Sequence, residues 1–293
     1  MVKYVVTGTT GGLGSQVFKY LIRLVPVSDI IVSLHNPAGA TPEVLSSGVE
    51  IRKGDFAQPE TLHAAYAGAD KLLIVSCPTI NYELSLKSHI AAIDAAKRAS
   101  IKHVYYTSLA WASDSKALIM QAHLDTEAYL KQSGITYTII REGVYSESFW
   151  FYLPYQNRTQ GHEVKIPYGD GKISFVSRED LGEGTAKLMV ADTHKNKTVL
   201  FTGPQVYTAS DLANMITNIL KLDPPLRVKI VSEDEYVAST DGGEGLLRKW
   251  ASTFTALARG ELAAVDPLLQ TILGRECAPL EQTVREIVGA TSE

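Results

Sequence analysis

The apolar residues at the start of the chain form one short run and then a helical repeat. The segment Lys3-Tyr4-Val5-Val6-Thr7 has no polar alternation, and apolar residues then recur at Leu13, Val17, Leu21 and Leu24. A short unbroken run is typical of a parallel strand covered on both faces, whereas the later spacing is typical of a helix. The chain is therefore predicted to begin with a buried strand followed directly by a helix.

The same alternation of strand and helix continues to residue 141. Strands are predicted at 29–34, 49–53, 71–75, 103–107 and 136–141, and helices at 42–47, 59–66, 85–99 and 118–133. Parallel neighbours need crossover connections, and helical crossovers cover both faces of the sheet. The pattern therefore predicts an α/β fold with a doubly wound parallel sheet.

The character of the sequence changes from Ser146 onward. An aromatic-rich stretch at 149–155 is followed by a predicted helix at 180–190, a strand at 198–201, a helix at 210–220 and a strand at 228–231. The last sixty residues are predicted to be helical, with the glycine-rich segment 241–245 as a loop. The second half is therefore expected to be a smaller, mostly helical unit.

Three glycines, Gly8, Gly11 and Gly14, fall in the predicted turn between the first strand and helix. A tight bend, a close ligand and close helix packing each require a missing Cβ. A diphosphate in this turn would meet unpaired N–H groups and the positive end of the helix dipole. Because strand, glycines and helix follow in the required order, the segment is interpreted as a dinucleotide site.

Open parallel sheets bind ligands beyond the carboxyl ends of their strands, where the strand order reverses. This rule selects the residues that directly follow each strand as candidate contacts. They are Thr9, Thr10, Gly11, Gly12, Leu13, His35, Asn36, Asp55, Phe56, Ser76, Cys77, Ser108, Leu109 and the segment 141–155.

Composition narrows the class of protein. Hydrophobic residues at 45% and charged residues at 20% are typical of a soluble globular chain, and a net charge of −4 lacks the basic footprint of a nucleic-acid binder. Cys77 and Cys277 lie far apart without a CxxC motif, which argues against a metal site or a disulfide framework. No stretch has the length of a membrane span, and the first strand leaves no room for a leader. We therefore expect a cytoplasmic protein with no metal and no membrane or nucleic-acid partner.

The chain contains five motifs in this order: Thr7–Gly14, Gly54–Phe56, Tyr106–Ser108, His123–Glu127 and Arg141–Phe149. Together they resemble those of the NmrA-like family of atypical short-chain dehydrogenases, in particular the group of quinone oxidoreductase type two and triphenylmethane reductase. The resemblance extends to Leu273-Gly274-Arg275. It implies a Rossmann domain at 1–148 that binds NADP(H) and a C-terminal substrate domain at 149–293. Part of 173–203 is expected to return to the Rossmann sheet.

The end of the second strand bears on the choice of cofactor. NAD-specific sites place Asp or Glu there, and an acid would repel the 2′-phosphate of NADP. This chain has His35-Asn36 instead, which favours NADP(H) over NAD(H), although family members often carry arginine where His35 stands. His35 could equally be a solvated turn residue. The resemblance implies that Asp55 and Phe56 meet the adenine, but Asp55 is also a common turn former.

The usual catalytic pair of short-chain dehydrogenases is missing. Ser108 is present, but Ile119 and His123 stand where the catalytic tyrosine and lysine are expected. His123 matches a histidine of the quinone-reductase group, and Glu127 lies one helical turn away, within reach of a side-chain pair. His123 could hold a ribose hydroxyl, act as an acid near neutral pH, or be an ordinary helix residue.

Tyr145, Trp150, Phe151 and Tyr152 follow the sixth strand, where a substrate lid would begin. Such a cluster is either core or a wall on which a flat apolar ligand stacks. Tyr145 lies in the family motif and is expected to face the cleft. Ser108, His123 and Tyr145 are therefore the predicted catalytic residues.

A hydride acceptor that does without a strong proton donor must itself be electron-poor, such as a quinone, a conjugated enone or an iminium ion. We therefore predict an NADPH-dependent oxidoreductase acting on a small, flat, apolar or conjugated substrate. One alternative is a redox-sensing regulator that binds NADP(H) without turnover and signals to a protein partner. Another is a biosynthetic enzyme that uses the cleft for a non-redox cyclisation or isomerisation. A homodimer is compatible with the sequence.

Overall fold

A computed structural model describes residues 1–155, 162–239 and 244–290. Its strands are β1 (Tyr4–Thr7), β2 (Ile30–Leu34), β3 (Glu50–Lys53), β4 (Lys71–Ile74), β5 (His103–Leu109), β6 (Thr136–Glu142), β7 (Val144–Tyr145), β8 (Glu163–Ile166), β9 (Ile173–Val176), β10 (Lys197–Phe201), β11 (Val206–Tyr207) and β12 (Arg227–Ile230). Its α-helices are α1 (Gly12–Leu24), α2 (Pro42–Ser47), α3 (Leu62–Tyr66), α4 (Tyr82–Arg98), α5 (Leu118–Gln132), α6 (Arg178–Ala191), α7 (Ala209–Leu220), α8 (Glu233–Ser239), α9 (Glu244–Ala258), α10 (Leu268–Leu273) and α11 (Leu280–Ala290).

The main sheet has seven strands in the order β10-β6-β5-β4-β1-β2-β3. Every neighbouring pair is parallel. The order reverses between β1 and β4, which makes the carboxyl ends of these two strands the expected ligand edge. The predicted doubly wound Rossmann sheet is confirmed.

Alternate strand residues pack in two separate apolar layers, one on each face of the sheet. Val6 and Tyr105 pack with α1 and α6 residues on one face, whereas Val5 and Tyr106 pack with α3 and α4 on the other. Successive strand side chains point to opposite faces, so a fully buried strand needs apolar residues throughout. The unbroken apolar runs of the sequence are explained by this double burial.

The second half of the chain contributes to both parts of the molecule. β10 is an edge strand of the main sheet and α6 packs on α1, whereas β9 belongs to a separate small sheet. The remaining elements, including the small sheets β11-β9-β7 and β12-β8, enclose a third apolar cluster with α7, α8, α9 and α11. The exact boundary at residue 148 stays a prediction.

Several details depart from the sequence-based expectation. Residues Val27–Asp29 form a 3-10 helix before β2, and the short strands β7, β8, β9 and β11 were not predicted. Of the predicted loop at 241–245, residues 241–243 lie outside the described residues, and Glu244 begins α9. Within the described ranges, no helix has both the length and the apolar character needed to span a bilayer.

Candidate cofactor and substrate site

The turn between β1 and α1 is built on glycine at the three predicted positions. Gly8 has φ +69°, a left-handed conformation, and a Cβ there would lie 2.9 Å from the Cβ of Val75. A Cβ at Gly14 would overlap the carbonyl oxygen of Gly8, and the Gly11 amide donates to that same oxygen at 2.9 Å. The first turn of α1 therefore packs directly on the bend and admits no larger side chain.

The N-terminus of α1 is open. Gly11 is its N-cap and supplies no side-chain oxygen, and Thr10, Gly11 and Gly12 are exposed. An α-helix leaves its first amides without intrahelical partners, here those of Gly12, Leu13 and Gly14. The side chain of Leu13 is buried, so this residue can offer a ligand only its backbone. This cradle of free amides fits the diphosphate of a dinucleotide.

Arg178 lies beside this turn and was not weighed in the sequence analysis. It is the first residue of α6, and a Cβ on Gly12 would overlap its guanidinium. Its Nε lies 3.4 Å from Glu147 Oε2, and its guanidinium carbon lies 5.8 Å from the centroid of the Tyr145 ring. The only signal in the sequence was a basic residue directly after the N-cap Ser177. The arrangement adds a fixed positive charge to the open helix terminus.

The candidate adenosine residues lie at the ends of β2 and β3. His35 and Asn36 are exposed after β2, and Lys53, at the end of β3, is paired in register with Leu34. Asp55 is half-buried, and its Oδ1 accepts a hydrogen bond from the Ala57 amide at 2.9 Å. Asp55 is therefore a turn former here, and its second oxygen remains for a ligand. Phe56, beside it, is half-buried.

Threonine hydroxyls inside the strands shape the loop after β4. Thr7 Oγ1 accepts from the Val75 amide at 3.0 Å, and Thr107 Oγ1 accepts from the Ser76 amide at 3.0 Å. Ser76 and Cys77 are half-buried, and burial raises the pKa of the Cys77 thiol. The thiol is therefore neutral, and this loop presents mainly backbone and hydroxyl groups to a ligand.

His123 lies at the end of a buried chain of hydrogen bonds. The Cys77 amide donates to His89 Nε2 at 2.9 Å, and the Tyr106 hydroxyl lies 3.2 Å from His89 Nδ1 and 2.8 Å from His123 Nδ1. Burial lowers the pKa of His89 to about 3 and that of His123 to about 4. His123 is therefore a neutral imidazole at pH 7, which is a poor proton donor.

Ser108 and Glu127 belong to a second buried network. The Ser108 hydroxyl donates to Glu127 Oε1 at 2.8 Å, and Arg141 binds both oxygens of Glu127 through Nε and Nη2, each at 2.8 Å. The expected pairing of Glu127 with His123 is wrong, because the guanidinium of Arg141 satisfies the carboxylate in a bidentate geometry. The catalytic role of Ser108 stays a prediction, with its proton engaged by Glu127.

Tyr145 forms a pair with a carboxyl that the sequence analysis did not single out. The half-buried Tyr145 donates to Glu142 Oε2 at 2.8 Å, while Glu142 Oε1 is buried and has no partner among the described residues. Burial raises the pKa of Glu142 to about 8, against a smaller opposing effect of the tyrosine hydrogen bond. Glu142 is therefore largely protonated at neutral pH.

The aromatic cluster after β7 divides into core and surface. Tyr152 is buried and lies edge-on to Phe175, whereas Trp150 and Phe151 are 47% and 42% exposed and stacked at 3.7 Å between ring centroids. Of the two alternatives left open for the cluster, a core position does not apply to Trp150 and Phe151, since both lie on the surface of the 3-10 helix Ser146–Phe151. The exposed pair is the part of the cluster that can meet a flat ligand.

The comparison with family models decides the assignment. The model of the NmrA-like family matches residues 2–237, most of the chain and all of the elements that carry the glycine turn and Tyr145. The chain belongs to the NmrA-like family. This confirms the resemblance drawn from the motifs.

Two curated relatives match this chain over nearly their full length. The NmrA-like family domain-containing oxidoreductase flvB of Aspergillus flavus is 36% identical, covering 98% of this chain and 95% of that protein. Quinone oxidoreductase 2 of Escherichia coli K12 is 30% identical, covering 96% of this chain and 97% of its own.

Solved structures of this NmrA-like group superpose closely. The NADPH-dependent quinone oxidoreductase of E. coli, complexed with NADPH, has a TM-score of 0.87 at 29% identity, covering 97% of this chain and 99% of that one. The triphenylmethane reductase of Citrobacter sp., complexed with NADP(H), has a TM-score of 0.85 at 30% identity with the same coverage. Both are reductases with a nicotinamide dinucleotide bound to this fold.

Proposed function

We propose that this NmrA-like protein is an NADPH-dependent oxidoreductase that transfers a hydride to an electron-poor small molecule such as a quinone, a conjugated enone or an iminium ion. The observation that carries the proposal is the open N-terminus of α1 over a glycine bend, with Arg178 beside it. Relatives similar over their full length are named as an NADPH-dependent quinone oxidoreductase and a triphenylmethane reductase with NADP(H).

The residues fit NADP(H) at each of its parts. The diphosphate would be held by the backbone around Thr10–Gly14 and by Arg178. His35 and Asn36 would meet the 2′-phosphate, since no acid stands there to repel it. Asp55 and Phe56 would bind the adenine, and the loop at Ser76 and Cys77 would line the path toward the nicotinamide.

The bound cofactor supplies the hydride, and the protein orients the acceptor. Ile119 packs against the apolar cluster of the C-terminal half, and His123 is neutral with Nδ1 engaged by Tyr106. Neither residue reproduces the phenol and ammonium of ordinary short-chain dehydrogenases. An acceptor that spreads incoming charge over its own π-system is therefore favoured, with Trp150, Phe151 and Tyr145 as candidate walls.

Turnover assays with the full chain test this proposal. A panel of a benzoquinone, a conjugated enone and a cationic triarylmethane dye is mixed with NADPH, and nicotinamide oxidation is followed together with acceptor reduction. The expected result is one NADPH oxidised per acceptor reduced for at least one class. Binding of NADPH without oxidation across the panel would favour a regulator, and product formed without nicotinamide oxidation would favour a non-redox enzyme.

A further inference from the structure

Glu142 is a buried carboxyl that the cofactor site described above does not use. It is the last residue of β6, 1% exposed, with Oε2 bonded to Tyr145 and Oε1 without a partner among the described residues. A buried carboxylate with one unsatisfied oxygen is costly, whereas a neutral carboxyl in the same place is tolerated. The geometry therefore favours a protonated side chain.

Among the residues that the structure describes, no charged side chain is bonded to the Glu142 carboxyl. Its strand neighbours are Leu109 on β5 and Phe201 on β10, both uncharged. Arg141, the preceding residue of β6, is committed to Glu127, and successive strand residues face opposite sides of the sheet. Burial raises the pKa of Glu142 to about 8.

The hydrogen bond from Tyr145 connects Glu142 to the candidate cofactor site. Arg178 lies over the Tyr145 ring and beside Gly12, and the Glu147 carboxylate holds Arg178 from the other side. Tyr145 and Arg178 are thus the titratable groups between Glu142 and the diphosphate cradle, with Glu147 behind them. Burial also raises the pKa of Tyr145 well above its ordinary value, so a phenolate would not persist at this position.

We propose that Glu142 and Tyr145 form a proton relay that serves acceptors which need a proton on oxygen. The inference rests on the proposed function. Hydride addition to a quinone places a negative charge on its oxygen, and Tyr145 gives that oxygen its hydroxyl proton. For this step the Tyr145 hydroxyl turns from Glu142 Oε2 to the quinone oxygen, and the Glu142 carboxyl, with its proton on Oε2, gives that proton to the tyrosine oxygen. Glu142 is left as a carboxylate and regains a proton from solvent, so one hydride and one proton are consumed for each quinone.

A comparison of a quinone with a cationic dye as acceptor distinguishes a proton relay through Glu142 and Tyr145 from a purely structural role of these residues. A quinone anion must be protonated, whereas a cationic triarylmethane dye becomes neutral on accepting the hydride and needs no proton. Loss of a relay therefore lowers the quinone rate more than the dye rate. A general loss of structure or of cofactor binding lowers both rates together.

The variants for the test are Glu142→Gln and Tyr145→Phe, which keep size and remove the transferable proton. General acid catalysis typically contributes about 10²-fold to 10⁴-fold, so the ratio of quinone to dye kcat is expected to fall by at least ~10-fold in each variant. The double variant is expected to resemble either single one, because the two groups act as a unit. In the wild type, quinone kcat is expected to fall as the pH rises above about 8, and this dependence is lost in Glu142→Gln.

The matched control is Glu179→Gln. Glu179 accepts a hydrogen bond from the Tyr20 hydroxyl at 2.8 Å on the exposed surface between α1 and α6, which is the same pair of groups outside the cleft. Its rate ratio and pH profile are expected to equal those of the wild type. NADPH affinity, measured by nicotinamide fluorescence, reports on folding in every variant.

The outcomes distinguish failure of the proposed function from failure of the relay alone. If the wild-type protein oxidises NADPH with none of the acceptors, the proposed function is overturned, and the relay with it. A wild type that reduces both acceptors, with Glu142→Gln and Tyr145→Phe keeping its rate ratio and its alkaline pH dependence, overturns the relay alone.

Discussion

Burial sets the charge of the residues around the cleft. The guanidinium of Arg178 lies at the turn, whereas burial disfavours the charged forms of His89, His123 and Glu142, which are therefore neutral at pH 7. A charged group at the cofactor and neutral groups beyond it suit a site that holds an anion at one end and an apolar acceptor at the other.

Replacing Arg178 by methionine is expected to weaken NADPH binding. A hydrogen bond to a charged group contributes about 1.5 to 3 kcal/mol, which corresponds to a loss of roughly 10-fold to 100-fold in affinity. Titration calorimetry at low and high salt measures the effect, and the salt dependence of the variant is expected to be smaller. Arg23→Met is the control, because Arg23 lies at the far end of α1. Equal affinity in the Arg178 variant and the wild type would exclude Arg178 from the diphosphate site.

The buried histidines are expected to destabilise the fold in acid. His123 has its pKa lowered from 6.5 to about 4, so its neutral form is favoured by folding, and its share of stability is present above pH 6.5 and lost as the pH falls to 4. The shift corresponds to a loss on the order of 3 kcal/mol. Urea unfolding between pH 7 and pH 4 measures it.

His123→Gln is expected to flatten this pH dependence, because glutamine has no charge to gain. His63→Gln, at an exposed position on α3, is the matched control and should keep the wild-type slope. If His123→Gln and His63→Gln both lose stability in acid as steeply as the wild type, the pH dependence of stability does not arise from His123.

Single residues were predictable where a backbone rule applied to them. The glycines of the first turn follow from the strand-turn-helix pattern, because a Cβ would be strained at Gly8 and would overlap the Gly8 carbonyl oxygen at Gly14. Glu142 and Arg178 were missed, since their roles depend on contacts with Tyr145 and Gly12 that are distant in sequence or arise only from the fold. His123 stays a predicted site residue, and its neutral state follows from burial that the sequence does not display.

At the level of elements, the contact between α1 and α6 holds Arg178 over the turn. A Cβ on Gly182 of α6 would overlap Gln16 and lie 2.7 Å and 2.9 Å from the backbone carbon of Gln16 and the nitrogen of Val17. The two helices therefore approach at backbone contact, which only glycine allows. Since their N-termini meet at Gly12 and Arg178, this spacing sets the position of the guanidinium.

Gly182→Ala is expected to separate the helices. Overpacking of this kind costs about 1 to 3 kcal/mol in stability, and the displacement of Arg178 should also weaken NADPH binding. Thermal unfolding and calorimetry measure the two effects. Gly289→Ala on α11 is the control: a Cβ there meets nothing within 4 Å, so alanine should stabilise the helix by up to about 1 kcal/mol. An unchanged unfolding temperature in Gly182→Ala would contradict the backbone contact.

The longer and more deeply buried strands and helices were the more predictable ones. Strands of the main sheet are buried on both faces and appear as apolar runs, and α2 was placed by its Thr41 N-cap and by Gly48, which is left-handed at its C-cap. The strands β7 and β11 have two residues each and exist because partners from elsewhere pair with them. No local pattern marks such segments.

At the level of the whole molecule, the two halves share their cores. Trp111 and Met120 from the first half lie in the apolar cluster of the second, and Leu181 and Phe201 from the second half lie in a cluster of the main sheet. Alternating strands and helices were sufficient to predict the doubly wound architecture. The exchange of elements between halves was only partly predictable, because it depends on which edge of the sheet remains free for β10.

Titration calorimetry of the full chain with NADPH and NADH tests the central claim most directly. The claim is that main-chain amides at the first turn of α1 grip a dinucleotide diphosphate. Saturable binding of one NADPH per chain is predicted, tighter than NADH by at least ~10-fold because a charge-assisted contact to the 2′-phosphate is lost with NADH. An absence of measurable binding by either dinucleotide would contradict the account.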